Sequence, residues 1–135
     1  MLRLSKRVEY GLVALQHLAR RGKVTGHAVS TVREISEEND ISYDLLAKIM
    51  QDLKRDGVIC SYQGVRGGYT LMFAPQEISI TRVVDALETD NSITECTSGT
   101  DCCSREAVCT IKAPMHKLQE TMSQVLNSVT IAQLL

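Results

Sequence analysis

The chain has no tryptophan and a single phenylalanine among 135 residues, so any core it forms is aliphatic. Only two prolines interrupt it, which leaves long stretches free to be helical. Its apolar runs fall far short of a membrane span, and no apolar stretch of the signal-peptide kind opens it. A cytoplasmic protein without membrane contact is therefore expected. An excess of positive charge is missing too: fifteen Lys and Arg stand against sixteen Asp and Glu, a formal net charge of −1. Nucleic-acid binders are often basic overall, so any such role must rest on local patches. With 44% hydrophobic and 23% charged residues the composition is that of a folded globular chain. Its length suits one domain, or one domain with a short appended element.

Cysteine is concentrated instead of scarce. Four of the five cysteines, Cys96, Cys102, Cys103 and Cys109, fall within fourteen residues. A reducing compartment does not sustain structural disulfides, so the cluster asks for a metal or redox explanation.

Hydrophobic spacing divides the chain. Val8, Leu12, Leu15, Leu18 and Ala19 mark a first helix from Lys6 that ends at Arg20-Arg21-Gly22. Thr31-Val-Arg-Glu34 is a capping box opening a short helix to about Glu38. Ser42 caps the next helix, which buries Leu45, Leu46, Ile49 and Leu53 and stops at Asp56-Gly57. Val58–Tyr62 and Tyr69–Phe73 read as strands joined by a glycine-rich turn. Ser79 caps a further helix to Glu88, and a polar stretch without period carries the cysteines. Pro114 suits the first turn of a last helix, in which Met115, Leu118, Met122, Val125 and Val129 form a heptad seam. The fold expected is mainly α with a small β-hairpin wing: a winged helix-turn-helix in residues 1–88, a cysteine-rich loop in 89–112, and a long helix with its tail in 113–135.

In a winged helix-turn-helix the second helix of the pair enters the major groove of double-stranded DNA. Its leading residues here are Ser42, Tyr43, Asp44 and Lys48. Hydroxyls can meet phosphates or bases, and Asp can accept from a cytosine amino group. Gln63 and Arg66 occupy the wing tip, where arginine suits the negative minor groove. Gly64, Gly67 and Gly68 would let that backbone approach DNA closely. The alternative is an ordinary helical hairpin with a wet polar face.

Cys96, Cys102 and Cys109 are separated by five and six residues, with Cys103 as another middle ligand. Structural zinc usually takes close C-x-x-C pairs. The wider spacing in a Gly/Ser/Thr-containing loop suits an iron–sulfur cluster, 2Fe–2S or 4Fe–4S. Zinc and a redox-active thiol pair stay open. A fourth ligand is needed, with His116 one candidate and a carboxylate another. Cys60 reads as a small buried wing residue, and His17 and His27 have no partner pattern.

Several segments together resemble the IscR/NsrR-type (Rrf-two) winged-helix iron–sulfur regulators of bacteria. They are Leu2-Arg3-Leu4-Ser5-Lys6, Ile41-Ser42, Gly57-Val58-Ile59, the wing from Ser61 to Leu71, and the Cys96, Cys102 and Cys109 loop before the long helix. The resemblance covers nearly the whole chain. It implies a transcription regulator, repressor or activator, whose cluster state controls affinity for palindromic operators. It also implies a homodimer paired through the last helix. Some members place a histidine three residues after the last cysteine, where Lys112 stands here. Others use an acidic residue early in the first helix, donated in some cases by the partner subunit, and Glu9 occupies that position. Members commonly carry arginine where Gln63 stands. A cluster-free thiol or zinc sensor on the same fold is the nearest alternative, and a small iron–sulfur electron carrier the alternative from another class.

Overall fold

In the computed structural model of the protein, residues 3–25, 29–98 and 104–135 are described; Leu2, His27, Cys102 and Cys103 lie outside them. Helix α1 spans Lys6–Thr25. It passes the expected stop at Gly22, which lines a groove with Leu71 and Phe73 against the wing. Glycine inside a helix costs about 1 kcal/mol, and packing of this last turn offsets it.

Helix α2, Val32–Asn39, begins with the expected box: Thr31 Oγ1 accepts the Glu34 N–H at 3.1 Å, and the Glu34 carboxylate accepts the Thr31 N–H at 3.0 Å. Asp40 closes it in the left-handed region with φ 52°. The turn is locked by Ser36, whose carbonyl accepts the Ile41 N–H at 3.1 Å while its buried hydroxyl donates to the Ile41 carbonyl. Helix α3, Tyr43–Arg55, buries Leu46, Ile49, Met50 and Leu53, with Leu45 half-buried. Ser42 stands at its N-cap, but the side chain makes no capping hydrogen bond.

Strands β1 (Ile59–Tyr62) and β2 (Gly68–Leu71) pair antiparallel, Ile59 opposite Leu71 and Tyr62 opposite Gly68. The hairpin is also tied to Ser30, the residue before the α2 N-cap. Ser30 N–H donates to the Tyr69 carbonyl at 3.0 Å, and Tyr69 N–H donates back to the Ser30 carbonyl at 2.8 Å. Gly68 has φ 150°, and a Cβ there would stand 2.7 Å from the Ser30 carbonyl oxygen. Its glycine thus serves an approach inside the molecule, where the sequence reading assigned it to DNA.

Helix α4, Ile80–Leu87, starts at Ser79, whose hydroxyl accepts the Arg82 N–H at 3.3 Å. It packs close to α1 at Gly11, where a Cβ would meet Leu87 Cδ1 at 2.5 Å. The core gathers Val8, Leu15 and Leu18 of α1, Ile35 of α2, the α3 stripe, Val58, Ile59, Ile78 and the inner face of α4.

Helix α5 runs Lys112–Ser128 with Pro114 in its first turn and no residue fully buried. Leu118 and Val125 are 42% and 57% exposed. The expected seam ends at Val125, because Val129 lies beyond the helix in extended backbone and its carbonyl accepts the Ile80 N–H at 2.9 Å. The chain then turns back onto the core: Ile131 N–H donates to the Ile78 carbonyl at 2.9 Å and the Ile131 side chain is fully buried. Among the described residues no helix is long and apolar enough to cross a membrane.

Candidate functional site

One face of α3 stays polar. Ser42, Tyr43, Asp44 and Lys48 are all exposed at its leading end. Gln51, Lys54 and Arg55 are exposed further along, residues not named as contacts although the helical period that selected Asp44 and Lys48 also selects Gln51 and Arg55. Asp44 sits in the first turn, where a carboxylate suits the helix dipole. Gln63, Val65 and Arg66 are exposed at the wing tip, whose turn is closed by the Gly67 N–H on the Gly64 carbonyl at 3.0 Å. The Arg7 guanidinium of α1 donates to the Asp52 carboxylate of α3, which Arg55 approaches at 3.1 Å. That ion pair couples the start of α1 to the outer helix of the pair.

The cysteine side also adjoins the start of α1. The cleft there, about 620 Å³, is bordered by Arg3, Ser5 and Val8 of the N-terminal segment, by Glu88 and Ser92, and by Met122 of α5. Ser5 donates its hydroxyl to the Glu88 carboxylate. Asp90 accepts the Ser92 hydroxyl at 2.6 Å and its N–H at 2.9 Å, and these bonds hold its carboxyl below the ordinary aspartate value. Cys96 follows within a 3-10 turn, Glu95–Thr97, half-buried, with Thr94 Oγ1 3.1 Å from its sulfur. Cys109, also half-buried, stands just before α5 on an open cleft shared with His116, Lys117 and Glu120. Both are free thiols.

Glu9 is in the first turn of α1, its carboxylate 2.7 Å from Lys6 Nζ. The hydrogen bond and the charge of Glu9 raise the lysine pKa above its ordinary value. Cys60 is half-buried in β1 opposite Thr70. Among the described residues no three His, Cys, Asp or Glu side chains gather into a group able to hold a metal ion. Cys102 and Cys103 fall outside those residues. The donors described are nevertheless of the right chemistry: thiolate sulfur is the characteristic ligand of iron–sulfur clusters, and a carboxylate on an exposed pair is released at little cost.

A tight helix pair with an exposed polar second helix, backed by a tied hairpin, defines a winged-helix transcription regulator. A family profile sharpens that class: the model described as Rrf2, iron-dependent transcriptional regulator, matches residues 4–135. The chain belongs to the Rrf2 family. It is 31% identical to protein rrf2 of Nitratidesulfovibrio vulgaris over 134 residues, covering 99% of this chain and 87% of that protein. It is likewise 31% identical to the transcriptional regulator NsrR of Shouchella clausii, covering 98% and 88% of the two. Among solved structures it resembles CymR, the global cysteine regulator of B. subtilis, with TM-score 0.74, 25% identity, and 99% and 96% of the chains covered. The family profile and the NsrR relative are named as transcriptional regulators, a class distinct from the electron carrier that cysteines alone left open.

Proposed function

We propose that the protein is a cytoplasmic, homodimeric DNA-binding regulator whose operator affinity follows the state of an iron–sulfur cluster held by Cys96, Cys102 and Cys109, with Glu9 of the partner subunit as fourth ligand. The observation that carries this reading is the pair of free, half-buried thiols Cys96 and Cys109, which flank Cys102 in the sequence ahead of α5. When bound, the cluster supplies a centre that reacts with oxidants or nitric oxide, or is lost when iron is scarce.

The chain's own residues do the rest. The apolar side of α5, with Leu118 and Val125 exposed and Met115 and Met122 half-buried, packs against the same helix of the partner subunit. That pairing sets two α3 helices on successive major grooves of a palindromic operator. Ser42, Tyr43, Asp44 and Lys48 meet bases and phosphates there, while Gln63 and Arg66 reach the minor groove. A carboxylate is a harder donor than sulfur, so a Glu9-ligated cluster is more labile than an all-thiolate one, which suits a sensor. His116 is the competing fourth ligand, since it lines the Cys109 cleft.

Native mass spectrometry and visible spectra of anaerobically purified protein test the reading. The expected result is a coloured dimer carrying cluster mass, colourless variants Cys96→Ala, Cys102→Ala and Cys109→Ala, and a coloured Cys60→Ala. A second reading, a cluster-free thiol regulator, draws on the likeness to CymR; it requires colourless wild-type protein that still binds DNA.

A further inference from the structure

We propose that the Thr94 hydroxyl is the hydrogen-bond donor that tunes the Cys96 sulfur, and that Thr97 and Gln119 hold it in place. This rests on the cluster reading above, since it assigns Cys96 as a ligand. Thr94 Oγ1 stands 3.1 Å from Cys96 Sγ. The chemistry of a ligating sulfur decides the direction of that bond. Thr97 has one hydroxyl proton, and its best acceptor is the Thr94 carbonyl at 2.8 Å. Its oxygen in turn accepts the Thr94 N–H at 3.2 Å. Thr94 Oγ1 also lies 3.2 Å from Thr97 Oγ1, but a ligating thiolate only accepts, so in the Thr94–Cys96 bond the hydroxyl is the donor.

Gln119 of α5 fixes the turn from outside. Its Oε1 accepts the Ile93 N–H at 2.8 Å and lies 3.3 Å from Thr97 Oγ1. The backbone donor at Ile93 settles which way the amide faces. Thr94, Thr97, Gln119 and Cys96 are all half-buried, where such bonds are stronger than in water. A hydrogen bond to a cluster sulfur draws off electron density and favours the reduced state, so it raises the reduction potential. Thr94 is therefore a positioning residue, acting through Cys96, and α5 holds its turn through the Gln119 Oε1 that accepts the Ile93 N–H.

Thr94→Val keeps the shape and removes the donor; Thr94→Ser keeps the donor and trims the shape. Potentials are read by anaerobic dithionite titration of the visible spectrum of the full-length protein. The expected result is that the valine variant has a lower potential, by about a tenfold change in the reduced-to-oxidised ratio at fixed ambient potential, about 59 mV for one electron. The serine variant should return close to wild type. A coloured wild type with an unshifted valine variant overturns this inference alone, as does a serine variant shifted as far as valine. A wild type without a chromophore overturns both this inference and the cluster reading.

Discussion

Replacing Gly68 by alanine pushes a methyl group into the contact that ties the wing to the helix pair. Two costs add. At φ 150° an L side chain is strained, by about 1–2 kcal/mol. The new Cβ would also stand 2.7 Å from the Ser30 oxygen and 2.8 Å from its carbonyl carbon, both backbone atoms that cannot swing aside. Relief comes by separating Ser30 from Tyr69, which breaks their two reciprocal hydrogen bonds, each worth about 1 kcal/mol net. The sum is about 3 kcal/mol, or roughly 10 °C in the unfolding midpoint of a domain this size.

Gly64→Ala is the control, because φ there is 109° but nothing lies within 4 Å of the added methyl. It carries the strain without the collision and should lose about half as much. Thermal unfolding by circular dichroism reads the stability. Fluorescence anisotropy on DNA selected from a random pool by the wild type reads binding, and Gly68→Ala should weaken it by tenfold or more as Gln63 and Arg66 lose their fixed position. Equal midpoints for the two variants, with unchanged DNA affinity for Gly68→Ala, would refute the argument that the Ser30–Tyr69 tie positions the wing.

Two further predictions concern assembly and ligation. The double variant Leu118→Glu, Val125→Glu places charges on the exposed apolar side of α5 and should raise the dimer dissociation constant at least a hundredfold. Light scattering after size exclusion should then find monomer, while a persistent dimer would place the interface elsewhere. Glu9→Ala should shorten the lifetime of the visible absorbance in air several-fold and His116→Ala should leave it unchanged; the reverse pattern would move the fourth ligand to His116.

Much of the fold was legible because its determinants are local. The Thr31–Glu34 box, the Asp56-Gly57 stop and the apolar side of α5 each depend on residues within a turn or two of one another. What escaped depends on partners distant in the chain. Gly22 reads as a helix end until the wing packs beside it. Val129 continues the heptad until Ile80 takes its carbonyl. The Ser30–Tyr69 tie is one residue pair, too short to leave a period. The same division holds at the site: the cysteine spacing and the leading residues of α3 stand in the sequence, whereas the Thr94, Thr97 and Gln119 arrangement joins segments that no motif links.

The return of the chain at Thr130 has a consequence for the order in which the protein is made. Ile131 fills the core beside Ile78 and is fully buried. During synthesis the DNA-reading half emerges first, yet the floor beneath α1 and α4 stays open until residue 131 has left the ribosome. The cysteine segment lies between residues 79 and 130, whose bridge closes only at that moment. Closure of the domain is in this way a late event of synthesis.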